Sequence, residues 1–275
     1  ANIRKAAFDA MESGQTRYVP GKGTPALQKA IQSKFIRDNN LKYSLDEIIV
    51  GVGGKHIIYN AMMATLNPDD EVIIPAPFWV SYPDIVLLAE GKPVIVECPE
   101  SQNFKITANQ LEKNITEKTK WLMLNSPSNP TGAVYSASEL QELAEVLLKY
   151  PHVLIMSDDI YEKIIYDNLE FSTLAFIEPK LKERCLTLNG VSKAYCMTGW
   201  RLGYCGASKE IIAAMNKMQS QSNTSTSSIS MAAAVEALEG SQDFIKDHNE
   251  AFVRRRDMVV SSLNQIEGIN CLTPE

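Results

Sequence analysis

Four stretches of this chain have residue types and spacings that could do chemistry. In Asn189-Gly190-Val191-Ser192-Lys193 a lysine sits among small polar residues after an apolar run. Partial burial at such a place lowers an amine's pKa and frees its lone pair to form an imine. Arg201 follows eight residues on and could fork onto a dianionic phosphate. Taken singly, a lysine is far more often surface decoration. In Ser157-Asp158-Asp159-Ile160-Tyr161 an apolar run ends in carboxylates. A buried carboxylate is costly without a cation, so Asp158 suits a protonated ring nitrogen, with Tyr161 three residues on. A helix N-cap explains the same aspartate equally well.

Asn125 to Gly132 holds two asparagines, two prolines and a glycine. That composition makes a rigid loop in which either X-Pro bond can be cis. Asn129 would project an amide able to donate to a phenolate-like oxygen. A plain loop explains the stretch about as well. Gly53-Gly54-Lys55 lies between an apolar run and a helical pattern. Free N–H groups at a helix start attract anions, and glycine lets the backbone approach a phosphate. By itself a tight turn explains this stretch better, for it is neither a Walker loop nor a full G-x-G-x-x-G. Together the four stretches offer a phosphate site, a donor to a phenolic oxygen, a partner for a ring nitrogen and an imine-forming amine. Those are the parts of pyridoxal 5'-phosphate.

The elements that must position these residues alternate. Strand-like runs at Ile48–Val52, Val72–Ile74, Val94–Val96, Trp121–Leu124 and Val153–Met156 are separated by helical patterns at His56–Leu66, Tyr82–Ala89, Ala108–Ile115 and Ser138–Lys149. Cys185–Leu188 and Leu202–Cys205 are two further strands. This order predicts an α/β fold, a three-layer α/β/α domain around a mostly parallel sheet. Ligands in such sheets bind beyond the carboxyl ends of the strands, where all four stretches fall. From Lys209 the pattern turns helical, at Ile211–Met218, Ile229–Leu238 and Ser241–Ile266. Ser220 to Ser230 reads as a polar loop.

Length and composition bound the rest. The chain has 275 residues, room for one large domain or two small ones. Its formal net charge of -6 disfavours a nucleic-acid or anionic-membrane partner. Five scattered cysteines without a C-x-x-C pair, and three distant histidines, argue against a disulfide framework or a metal site. No apolar run is long enough to span a membrane, and no signal segment opens the chain. The expectation is a soluble cytoplasmic protein.

The ordered motifs resemble the fold-type-I, class I pyridoxal-phosphate aminotransferases, most of all the bacterial aspartate aminotransferases of the aspartate/prephenate subgroup. The resemblance runs along essentially the whole chain. It is carried by Tyr18 to Leu27, Gly53-Gly54-Lys55, Pro77 to Pro83, Asn125 to Gly132, Ser157 to Glu162, and Ser192 to Tyr204.

By position, the resemblance implies that Lys193 holds the cofactor covalently and Asp158 keeps its pyridine nitrogen protonated. It implies that Tyr161 and Asn129 bond the ring's 3-oxygen and that Trp79 stacks on the ring. Gly54, Lys55, Ser192 and Arg201 would surround the phosphate. Tyr18 looks like the tyrosine that reaches the neighbouring subunit's phosphate, which implies a homodimer with shared active sites. Lys55 also resembles the lysine that meets a substrate's side-chain carboxylate, so Trp79, Asn129 and Lys55 would border the substrate. The implied partners are an amino acid, aspartate or a relative, and a 2-oxo acid such as 2-oxoglutarate. Glu162, Arg254, Arg255 and Arg256 read as solvated or interface charges.

The implied domains are a cofactor-binding large domain over 1–240, opening with an N-terminal helix of about fifteen residues, and a connecting helix with the start of an incomplete small domain over 241–275. The chain begins inside an apparent helix and stops at Pro274-Glu275 after an apparent strand. Other enzymes of the same fold remain open: a prephenate or aromatic aminotransferase, a C–S lyase, a ring-forming synthase. A cofactor-binding form without turnover also remains. A nicotinamide dehydrogenase using Gly51-Val52-Gly53-Gly54 explains neither Lys193 nor Asn129.

Overall fold

A computed structural model describes all 275 residues. Helix α1 (Asn2–Glu12) and helix α2 (Pro25–Asn39) precede strand β1 (Ile48–Gly51). Then come α3 (Gly54–Thr65), β2 (Glu71–Ala76), α4 (Ser81–Leu88), β3 (Lys92–Glu97), α5 (Ala108–Asn114), β4 (Thr119–Asn125) and α6 (Ala137–Lys149). Strand β5 (Leu154–Asp158), the short α7 (Leu174–Ile177), β6 (Cys185–Gly190) and β7 (Gly203–Gly206) follow. Helices α8 (Lys209–Ser222), α9 (Ser228–Glu239) and α10 (Asp243–Leu263) close the order.

The seven strands form one sheet in the order β1-β7-β6-β5-β4-β2-β3. Strand β7 runs antiparallel to both its neighbours, β1 and β6, and the other pairings are parallel. Six carboxyl ends therefore share one edge with the amino end of β7. Alternation of side chains along each strand divides the core in two. Ile48, Val50, Leu122, Leu124 and Ile155 pack in one buried layer with Ala30, Ile31 and Phe35 of α2, Leu143 of α6 and Ala234 of α9. Ile49, Trp121, Met123, Met156 and Leu186 pack in the other with Ile57 and Ile58 of α3, Val86 of α4 and Met215 of α8. The expected three-layer α/β/α arrangement is present.

Local signals account for several boundaries. Thr24, Thr107 and Ser136 each accept a hydrogen bond from the backbone three residues on, capping α2, α5 and α6. Pro25 opens α2 at a position where no N–H is missed. Two expectations need correction. The segment Tyr18 to Leu27 stands out in the sequence only as a motif, yet its last three residues open α2, which runs on to Asn39 with a buried face that includes Lys34 as well as Leu27, Ile31 and Phe35. A lysine on that face disguises the apolar stripe. The apparent strand before Pro274 is irregular chain, tied back by one bond from the Glu275 N–H to the Gly132 carbonyl at 3.0 Å.

Candidate active site

The carboxyl edge of the sheet opens into a cavity of about 230 Å³. Register brings its parts together: Asn125 lies opposite Asp158, and Gly203 opposite both Gly190 and Gly51. Nine of the ten residues expected at the site line this one cavity: Gly54, Lys55, Trp79, Asn129, Asp158, Tyr161, Ser192, Lys193 and Arg201. Tyr18 does not; it is 93% exposed.

Asp158 ends β5 and is almost fully buried. Its Oδ2 accepts a 2.6 Å hydrogen bond from the Tyr82 hydroxyl, and its Oδ1 a 3.3 Å bond from the Ile160 N–H. Burial pushes its carboxyl up to about 6, against the pull of the Tyr82 and Ile160 bonds and the Lys193 charge. Burial also pushes the Tyr82 phenol well up, and the Asp158 charge adds to that. Tyr82 stays a donor and Asp158 an acceptor.

Lys193 follows β6 in a tight turn, where Cys196 and Met197 return their N–H groups to the Lys193 and Ser192 carbonyls. Its Nζ lies 5.2 Å from the Tyr161 ring centre. Asn125 organises the proline loop. Its Nδ2 donates to the Asp158 carbonyl at 2.8 Å, and its Oδ1 accepts from the Asn129 N–H at 2.8 Å. Both X-Pro bonds of this loop, Ser126–Pro127 and Asn129–Pro130, are cis, as is Ala76–Pro77 ahead of Trp79.

The amino end of α3 meets Arg201. The guanidinium donates to the Thr198 carbonyl at 2.9 Å and the Val52 carbonyl at 3.4 Å. Gly53 has φ +85, and a Cβ there would stand 2.5 Å from Arg201 Nη2. A Cβ on Gly203 would stand 2.5 Å from the Gly53 carbonyl carbon and the Gly54 nitrogen. Both glycines are thus required for Arg201 and the helix start to face one small volume. Arg201 itself is left-handed, with φ 51. Across the cavity, the Lys55 Nζ sits 4.9 Å over the Trp79 ring centre.

Tyr82, Asn125 and Thr198 also line the cavity, and sequence reasoning gives them no role. Tyr82 had a usable signal. It is three residues after Trp79, and the backbone turn from Tyr82 N–H to Trp79 carbonyl puts both rings in edge contact at 5.5 Å. Two charge readings are corrected. Glu162 is buried against Lys34 rather than solvated, because its turn folds back onto α2. Arg256 is covered too, its guanidinium spanning both oxygens of Asp167 at 2.6 and 3.1 Å.

The donor set fits pyridoxal phosphate. A buried carboxylate held only by neutral donors suits a protonated ring nitrogen. An arginine at a helix amino end suits a phosphate dianion. An amine beside a phenol suits a carbonyl next to a ring hydroxyl.

The family described as aminotransferase class I and II matches residues 1–275. An aspartate aminotransferase of Rhizobium meliloti (strain 1021) is 56% identical over 274 residues, covering 100% of this chain and 67% of that protein. An aspartate/prephenate aminotransferase of Cereibacter sphaeroides is also 56% identical, with 68% of its length covered. Among solved structures, the aspartate aminotransferase of Rhizobium meliloti superposes with a TM-score of 0.99 at 56% identity, over 99% of this chain and 68% of that one. That of Thermus thermophilus with maleate gives 0.93 at 40% identity, over 96% and 69%. Site geometry and similarity agree: the chain belongs to the class I and II aminotransferases, enzymes that move amino groups with pyridoxal phosphate.

Proposed function

We propose that this chain transfers the amino group of aspartate to 2-oxoglutarate, with the cofactor held by the residues of the carboxyl-edge cavity. The observation that carries the site is Asp158, a buried carboxylate with no cation of its own beside the one lysine of the turn after β6. The dicarboxylic donor is supported by the Lys55 ammonium over Trp79, inside the same cavity. It is also supported by the names of the Rhizobium meliloti relatives.

In this reading Lys193 would bond the cofactor, and Asp158 would hold a proton at the ring nitrogen. Tyr161 and Asn129 would donate to the ring's 3-oxygen, and Trp79 would pack on the ring. Arg201, Ser192, Lys55 and the Gly54 N–H would bind the phosphate. When bound, pyridoxal phosphate supplies the sink for electrons released at the substrate's Cα. Lys193 Nζ would take the proton from the substrate's Cα as general base and deliver it to the cofactor's C4' as general acid. Lys55 also orients the substrate's distal carboxylate.

We also propose a homodimer in which Tyr18 of each subunit completes its neighbour's phosphate site. The exposure of Tyr18, with Phe8 and Met11 exposed on α1, supports this. Residues 1–240 would form the cofactor-binding domain. The α10 segment within 241–275, whose Met258 and Val259 are exposed, would lead into a second domain. A reducing, cytoplasmic setting suits five unpaired cysteines. The test is purified protein with pyridoxal phosphate, aspartate and 2-oxoglutarate. Oxaloacetate and glutamate in equal amounts support the reading. Turnover of prephenate or aromatic oxo acids with no use of aspartate overturns the donor assignment.

A further inference from the structure

Beside the cavity, and lining none of it, lies a closed ring of buried polar groups. Lys34 of α2 is 1% exposed and Glu162 is 8% exposed. The Lys34 ammonium pairs with Glu162 Oε1 and donates to Asn39 Oδ1 at 2.7 Å. Asn39 Nδ2 donates to Glu162 Oε2 at 2.7 Å, which closes the ring. Both oxygens of the Glu162 carboxylate are therefore held by one helix. A second tie follows at once, Lys163 Nζ to Asp38 at 3.0 Å. Helix α2 thus grips the two residues that directly follow Tyr161.

The gripped segment is the turn that starts at Asp158. Glu162 closes it with a 2.9 Å bond from its N–H to the Asp159 carbonyl. Asp159 is buried inside it, with Oδ1 accepting from Ser157 at 2.7 Å and Oδ2 unpartnered. Burial pushes the Asp159 carboxyl well up, the Glu162 charge adds to this and the Lys34 charge opposes it. Tyr43 and Cys185 also face Asp159, and Tyr195 and Tyr204 face Glu162. Asp38, paired with Arg37 and Lys163, faces Lys34.

A buried ion pair is a poor way to stabilise a fold, since apolar residues of similar volume do as well or better. In some proteins such a pair serves instead to fix one geometry. We propose that Lys34, with Asn39, is a positioning residue: through Glu162 it fixes the turn that sets the Asp158 carboxylate and the Tyr161 hydroxyl against the cofactor. The proposal rests on the reading of Asp158 and Tyr161 as cofactor contacts. Neither Lys34 nor Asn39 touches the cavity, so their effect reaches it only through the turn.

The experiment compares the parent with Lys34→Met/Glu162→Gln, which removes both charges and leaves an amide at position 162 able to bond Asn39. Two quantities are read besides turnover: the dissociation constant of pyridoxal phosphate, and the pH midpoint of the bound cofactor's visible absorbance. The expected result is a folded protein whose dissociation constant rises about tenfold. The absorbance midpoint should move by about half a pH unit or more. Lys34→Arg with Glu162 kept, which preserves the ion pair, should stay close to the parent in both. A double variant with affinity within about twofold of the parent and an unmoved midpoint overturns the proposal. Should the double variant not fold, Asn39→Ala, which opens the ring but keeps the Lys34–Glu162 pair, is measured in the same way, and the same shifts support or overturn the proposal. Asp158→Asn separates the two claims. If it leaves affinity and midpoint unchanged, the site reading fails. If it moves both while the Lys34 variants do not, only the positioning role fails.

Discussion

Tyr82 donates a 2.6 Å hydrogen bond to Asp158 Oδ2, and the two side chains are buried together beneath the cavity. This bond holds Asp158 as an acceptor in a place where burial favours the neutral acid. Tyr82→Phe should therefore raise the Asp158 pKa further. A hydrogen bond to a charged group is worth about 1.5–3 kcal/mol, or roughly one to two pH units. Carboxyl NMR titration of the cofactor-free protein measures it. A pKa unchanged or lowered would remove Tyr82 from this role.

The raised pKa makes a stability prediction with a definite sign. The folded value of about 6 lies above the ordinary 3.8. Between them the folded protein keeps a proton that the unfolded chain has lost. Stability from this group is thus greatest below about pH 4 and falls as pH rises through about 6, by about 3 kcal/mol in all. Carboxylates with lowered values, such as Asp38, Glu47 and Glu139, act the other way. The clean comparison is with Asp158→Asn. Without cofactor, that variant should gain on the parent as pH rises from 4 to 7 in denaturant titrations. With cofactor, the parent should regain the lead.

At the proposed phosphate site, Gly53→Ala puts a Cβ against Arg201 and imposes φ +85 on alanine. That backbone conformation, with ψ 166, is essentially confined to glycine and alone costs about 1–3 kcal/mol. Pyridoxal phosphate affinity should fall at least about tenfold, as read by equilibrium dialysis. Gly199→Ala is the control, because nothing lies within 4 Å of a Cβ there. Equal effects of the two substitutions would contradict the packing argument.

Lys55→Met should discriminate among donors. Losing a charged contact to a distal carboxylate should lower kcat/KM for aspartate about tenfold to a hundredfold. Aromatic donors, lacking that carboxylate, should suffer less. Steady-state kinetics with both donors decide it, and parallel losses would leave Lys55 with the phosphate alone.

Much of this was legible in the residues themselves. The buried strands announce themselves as β-branched runs such as Ile48-Ile49-Val50, and the post-strand loops carry glycine, proline and lysine where a buried sheet needs none. What stayed hidden has a common cause. Lys34, Glu162 and Arg256 are long charged side chains, whose composition predicts solvent, yet each is covered because its partner arrives from a distant segment. Tyr82 carries no chemical label until β5 brings Asp158 beside it. Pairings between residues 76 or 128 positions apart belong to topology, and no local pattern encodes them.

Everything proposed for the cavity turns on Lys193 as the residue that would bond the cofactor. Loading the protein with pyridoxal phosphate, reducing it with borohydride and mapping the modified peptide by mass spectrometry tests this directly. One reduced adduct per chain is expected, on Lys193, and none in Lys193→Ala. An adduct on Lys55 or another lysine, or an undiminished adduct in the variant, would contradict it.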